Sequence, residues 1–292
     1  MTTTPSASTT WTSWHLHLAT DAPSAQDRVI REVLRPVVAS LAGRPWFFLR
    51  FWQAGTHIRF RVGDLSAAEA ARVQDALADH LDRAGRPAPG ERPVDEATYR
   101  ALATAQAASE YGADRVVQPM LPPGVHRAEY HPEYGRYGGV PLMPFTEHLF
   151  QLSSEAVLRV LPHAATIRDR TALGLRGTMA AAAALGDRDA RAEFYARSMA
   201  AWRSFAAGWD SGELDRLCRV EGATGPAPDP DRHGPFTAWH VGLTELAARL
   251  AEPGPIVFSH VHMLHNRLGR SLHEELRTYA WLAHVFPEAA RR

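Results

Sequence analysis

The segment Trp46-Phe47-Phe48-Leu49-Arg50-Phe51-Trp52 places the tightest limit on how this chain can fold. Aromatic residues at this density favour extended backbone, because large rings pack well on a pleated surface and lose freedom against a helical turn. Gln53-Ala54-Gly55-Thr56 then reads as a turn, and His57-Ile58-Arg59-Phe60-Arg61-Val62 as the hairpin partner. On that partner strand Ile58, Phe60 and Val62 point one way, while His57, Arg59 and Arg61 point the other. Two readings of the polar face stay open. It is either the solvated side of an antiparallel sheet, or a row of fork-shaped donors aimed at a carboxylate or phosphate.

Strands concentrate in the first half of the chain. Trp14 to Ala19 alternates in period two, and Val125 to Tyr130 reads as a further short strand. His15 and His17 share one strand face, which either lines a cleft or is simply half-buried. Between these strands, Asp27 to Leu41 carries a helical apolar stripe. Ser66 with Glu69 has the form of a capping box for a helix running to about Ala84, and Asp95 to Ser109 is an Ala-rich helix. Beyond Pro144 the sequence turns helical. Segments 145–161, 165–185, 188–209 and 236–252 are Ala/Leu/Arg-rich, and two last helices cover about 257–268 and 270–285. Gly222 to Pro235 reads as an exposed connection and Gly112 to Arg115 as a turn. Segregation of this kind predicts an α+β fold, an antiparallel sheet in the N-terminal half packed with a helical C-terminal half. Residues 1–10 read as a disordered tail, and 11–292 as a single domain.

Composition removes several function classes. The 32 acidic and 32 basic side chains cancel, so direct nucleic-acid binding is not expected. All the basic residues are arginine; without lysine there is no Schiff-base or phosphate-loop lysine chemistry, and anion recognition falls to guanidinium, imidazole or backbone N–H groups. Cys218 is the only cysteine, which excludes an intrachain disulfide and a cysteine-ligated zinc site, and it reads as a small buried apolar residue. No apolar run reaches the length of a membrane helix, and the Met1-Thr2-Thr3-Thr4-Pro5 start lacks a secretory signal, so a cytoplasmic location is expected. Dinucleotide, nucleoside-triphosphate and nucleophile-elbow motifs are missing too.

Two further segments carry chemistry. Glu129-Tyr130-His131-Pro132-Glu133-Tyr134-Gly135-Arg136-Tyr137-Gly138-Gly139 combines acid, arginine, aromatics and paired glycines. That suits a loop approaching a ligand, or equally a turn with a surface Glu–Arg pair. Ser259 to Gly269 places His262 and Asn266 one turn apart on a helix. His260, His262 and His265 lack zincin spacing, so this run reads as helix histidines or a general acid/base, and no metal is expected.

Together these segments resemble the C-terminal domain of class I lanthipeptide dehydratases, a domain that also occurs alone in thiopeptide biosynthesis. The aromatic strand with His57-x-Arg59-x-Arg61 matches the family's start. Tyr130, Glu133 and Arg136-Tyr137-Gly138-Gly139 match its next signature, and His262-Met263-x-x-Asn266-Arg267 its late one. The stretch between Arg61 and Arg136 exceeds the family's usual spacer, so residues about 85–124 read as an insertion.

The resemblance implies an enzyme that needs no cofactor and eliminates glutamate from glutamylated Ser or Thr of a ribosomal precursor peptide, leaving dehydroalanine or dehydrobutyrine. A separate tRNA-dependent protein would supply the glutamyl ester, and no membrane is involved. Arg59, Arg61, Glu133, Arg136 and His262 would form the elimination site, with His57, Tyr137, Asn266 and Arg267 contacting substrate. The same resemblance admits two alternatives. One is a pyridine synthase joining two dehydroalanines by a formal [4+2] aza-cycloaddition with leader release; the other is a non-catalytic leader-binding module.

Overall fold

The computed structural model describes residues 9–111, 116–206, 210–219, 229 and 233–287. Most of the N-terminal tail, the Gly112–Arg115 turn and most of the Gly222–Pro235 connection lie outside the described residues. The chain divides into two compact units, residues 1–162 and 163–292. The first holds an antiparallel sheet and the second is helical, so the chain is α+β as the segregation of patterns predicts.

In the first unit, strands β1 (Trp11–His17), β2 (Trp46–Phe51), β3 (His57–Gly63) and β4 (Gly124–Ala128) lie in the order β2-β3-β1-β4. Every neighbouring pair is antiparallel. β1 begins three residues earlier than its alternation suggests, because Trp11 to Ser13 pair with Gly63 to Arg61. Thr10 is tied in as well, exchanging hydrogen bonds with Asp64.

The hairpin turn takes Ala54 and Gly55 through positive φ, which fits the right-handed twist of the flanking strands. Its tip is anchored from afar. The Ala54 amide donates to the Tyr99 hydroxyl, which donates to the Gln118 carbonyl. Tyr99 belongs to α4 (Glu96–Tyr111), inside the stretch read as an insertion, so that stretch braces the hairpin.

One sheet face is the core. Trp14, Leu16, Phe48, Ile58, Phe60 and Val62 are fully buried there. Beneath them run α1 (Pro23–Val29), a π-helical turn (Ile30–Leu34), α2 (Arg35–Ala39) and the capped α3 (Ala67–Ala84). The π turn has a local cause. Pro36 lacks an amide hydrogen, and the ladder widens so that the Arg35 amide reaches back five residues to the Ile30 carbonyl. Polar pins hold the layers: Arg50 to Asp27 at 2.7 Å, and the Trp14 indole to Gln74 at 3.2 Å. The opposite face carries the polar row of β3. Against β2 packs α5 (Met143–Val160), whose Phe150 meets Phe47 and whose Ser154 hydroxyl accepts from the Phe48 amide.

The second unit contains α6 (Ile167–Ala183), α7 (Arg188–Phe205), α8 (Ser211–Cys218), α9 (Thr237–Ala247), α10 (Gly254–Arg267) and α11 (Leu272–Val285). The end of α8 corrects the reading of Cys218. It is half-buried rather than sealed in the core, because it closes an exposed amphipathic helix beside Arg203. α6 comes close to α10 because Gly177 has no side chain; a Cβ there would lie 2.3 Å from Leu264. Gly177→Ala gains helix propensity, but it overpacks a site whose Leu264 is fully buried. A net loss of about 1–2 kcal/mol in urea denaturation is expected; an unchanged or raised midpoint contradicts this packing.

Candidate active site

Antiparallel pairing puts His15 opposite Arg59, Ser13 opposite Arg61, and His17 opposite His57. Because opposed residues in a sheet share a face, the polar row of β3 and the histidines of β1 form one surface. The Arg59 guanidinium lies 3.4 Å above the Phe51 ring, and its Nε donates to His57 Nε2 at 3.3 Å. Arg61 is buried, with its guanidinium 4.3 Å from the Tyr130 ring and 5.2 Å from Phe47. Burial pulls Arg61 down to about 10, opposed by Tyr130, Glu133 and Glu147, so it stays a cation at neutral pH. Burial likewise pushes the Glu147 carboxyl above its usual range, against polar interactions with Trp11, Tyr130 and Arg61.

Arg136 stands on a 3₁₀ turn (Tyr134–Tyr137) and reaches the Glu133 carboxylate at 3.4 Å. Gly138 and Gly139 follow at φ 82° and 89°, a left-handed pair that turns the chain sharply into α5 and that side-chain-bearing residues resist. Tyr137 is buried edge-on against Phe150, so it braces the loop. The first unit thus brings Arg61, Tyr130, Glu133, Arg136 and Glu147 into one electrostatic neighbourhood, with Arg59 and His57 along the same strand face.

His262 belongs to the second unit. Its Nδ1 lies 2.9 Å from Glu275 Oε2, and the Trp202 indole donates to the other Glu275 oxygen at 3.2 Å. Glu275 is almost fully buried. Burial alone would raise it, but the two neighbouring histidines and the hydrogen bonds from His262 and Trp202 outweigh that and hold it below the usual carboxylate range. The ionised carboxylate accepts from Nδ1, so in the neutral ring the proton sits on Nδ1 and the lone pair on Nε2. Asn266 is half-buried one turn on, while Arg267 is fully buried, the placement of a structural group more than a surface contact. His265 is sealed in the core, 3.0 Å from the Thr178 hydroxyl and 3.2 Å from Arg270. A cavity of about 240 Å³ near the end of β1, lined by Leu18, Tyr99 and Met120 among others, includes none of the residues expected to act.

Sequence reasoning passed over Glu275, Glu147 and the joining of His15 and His17 to His57. The rings of His15 and His57 stack at 4.7 Å, and those of His17 and His57 at 4.2 Å. Desolvation, helped by the neighbouring arginines and imidazoles, lowers His57 to about 2, His15 to about 3 and His17 to about 4. The same groups titrate near 6.5 when unfolded, so between these values the unfolded chain binds more protons. Stability is therefore complete above pH 6.5 and falls with acidification below it. Each fully linked imidazole contributes up to about 1.4 kcal/mol per pH unit, and half-exposed His15 less. The urea midpoint of the metal-free chain should drop between pH 7 and pH 5, with a shallower drop in His57→Gln; a midpoint flat across that window refutes the buried neutral cluster.

A family model described as "Lantibiotic biosynthesis dehydratase C-term" matches residues 11–286. No curated protein matches the chain by sequence. Among solved structures, the pyridine synthase TbtD from thiomuracin biosynthesis aligns with TM-score 0.63 and 20% identity, over 94% of this chain and 96% of that one. The tRNA-dependent lantibiotic dehydratase MibB from Microbispora sp. 107891 aligns with TM-score 0.53 and 21% identity, over 97% of this chain but 28% of that one. TsrL aligns with TM-score 0.52 and 14% identity, covering 96% and 95%. At these identities the likenesses speak to the fold, and the match over residues 11–286 speaks to descent: the chain belongs to the lantibiotic dehydratase C-terminal family.

Proposed function

We propose that the protein is an elimination enzyme that removes glutamate from glutamylated Ser or Thr of a ribosomally made precursor peptide. A separate tRNA-dependent protein supplies the glutamyl ester. The observation that carries the reading is the arginine-rich face of the first unit, with Arg61 cationic although buried and the Arg59 guanidinium held over the Phe51 ring. A buried guanidinium in a water-poor surround binds a carboxylate far more strongly than an exposed one does.

In this reading Arg59, Arg61 and Arg136 hold the free glutamyl carboxylate and offset the charge that develops on the departing ester oxygen. A base takes the α-proton, the Cα–Cβ double bond forms, and the Cβ–O bond breaks to release glutamate. His262 is that base: Glu275 fixes the Nδ1–H tautomer and leaves Nε2 to accept the proton. Glu133 orients Arg136. His57 orients Arg59 through its ring nitrogen, and Tyr137 shapes the loop rather than reacting. Of the remaining residues proposed to touch substrate, Asn266 is the more accessible.

Incubation of the chain with a glutamylated precursor, followed by mass spectrometry, should show loss of glutamate. Arg59→Ala or Arg136→Ala should abolish that loss with the fold retained by circular dichroism, and turnover persisting in both variants would remove the arginines from the mechanism. Glu275→Gln should lower kcat by about a hundredfold and shift the pH profile, because the glutamine no longer enforces the tautomer. Unchanged kcat and pH profile would leave Glu275 a purely structural residue.

A second reading has one specific support: the end-to-end match to TbtD, against 28% of MibB. In it the chain is a pyridine synthase acting on a peptide with two preformed dehydroalanines. Macrocycle formation with leader release from such a peptide, without glutamate loss from the glutamylated one, decides for it. Peptide binding with neither reaction decides for a leader-binding module.

A further inference from the structure

The histidines of β1 and β3 are not used by the elimination reading beyond His57, and their arrangement carries chemistry independent of it. His15, His17 and His57 each offer a ring nitrogen, and the three nitrogens lie within 4.8 Å of one another. His17 is 1% exposed, and neither of its ring nitrogens makes a hydrogen bond of good geometry. A buried imidazole with both nitrogens unsatisfied calls for a partner, commonly an ion or ordered water. His57 is oriented as metal-bound histidines usually are, with Nδ1 2.7 Å from the Gly55 carbonyl, which assigns the proton to Nδ1 and leaves Nε2 a lone pair.

We propose that His15, His17 and His57 form a binding site for a divalent first-row transition ion of the zinc type. Ligand chemistry selects the class: three imidazoles suit zinc, nickel or copper, whereas magnesium and calcium demand oxygen ligands. Zinc–nitrogen bonds of about 2.0–2.1 Å in a tetrahedral site put ligand nitrogens about 3.4 Å apart, so closure needs the stacked rings to turn by roughly an ångström at the nitrogens. No local motif announces the site, because its ligands come from strands forty residues apart in the chain and meet only through the β1–β3 register.

Arg59 makes the proposal discriminating. Its Nε donates to His57 Nε2, the nitrogen an ion would take, so ion and guanidinium compete for one lone pair and also repel. Zinc should bind the full-length, tag-free chain with one ion per chain, measured by competition against a chromophoric chelator. Cobalt(II) alone should give the visible absorption of a low-coordinate nitrogen site. His15→Ala and His17→Ala should each weaken zinc about a hundredfold, with circular dichroism confirming the fold, while His131→Gln, an exposed histidine of the same unit, should change nothing. Arg59→Met should tighten zinc by about tenfold, which a purely structural role for the histidines does not produce. No saturable binding, binding that survives both histidine variants, or weaker binding in Arg59→Met would overturn the proposal.

Discussion

The register between β1 and β3 governs everything else in the first unit. Setting His15 against Arg59 and Trp14 against Phe60 sorts the sheet into two chemically opposite faces in a single step. Slipping by one residue would drive arginine and histidine into the apolar core and expose Phe60 and Trp14. The core face therefore fixes the polar face: the burial of Trp14, Leu16, Ile58, Phe60 and Val62 supplies the driving force that holds the guanidinium row in place. Arg61 is tolerated in a dry environment because aromatic faces and the acidic groups Glu133 and Glu147 surround it.

The helical unit solves a related problem with different parts. His262 gains a fixed tautomer only because Glu275 is ionised inside the core, and Glu275 is ionised only because His262, His265 and the Trp202 indole offset the loss of water. Arg270 extends the network, donating to Thr278 and lying beside His265, so the α10–α11 corner is held by linked polar contacts rather than apolar packing alone. Glycine at 174 leaves room for that guanidinium, since a Cβ there would collide with its Nη1.

Much of this was legible in the amino-acid sequence. The aromatic strand, the alternation of β3 and the capping box at Ser66 are local signals, and each produced its element. The motif order around Arg59, Arg136 and His262 pointed to the family that the chain belongs to. What escaped depends on pairing at a distance. Glu275 sits just inside a capping box, where an acidic residue ordinarily reads as a surface partner of the helix dipole, and only the packing of α11 reveals its burial. His15 and His17 displayed their shared face, but nothing nearby said that His57 would stack on both. The bracing of the hairpin tip by Tyr99 is likewise a consequence of tertiary contact.

The central claim is that the guanidinium face exists to hold an acidic side group of the substrate. It is tested most directly with a precursor peptide in which glutamate is joined through a stable amide to diaminopropionate, so that nothing can be eliminated. Its affinity is compared with that of the same peptide carrying glutamine, the isostere with an uncharged side chain, in place of that glutamate. The account predicts at least tenfold tighter binding of the acidic analogue, with the advantage shrinking as salt is added. Equal affinity of the two peptides at low salt would contradict it.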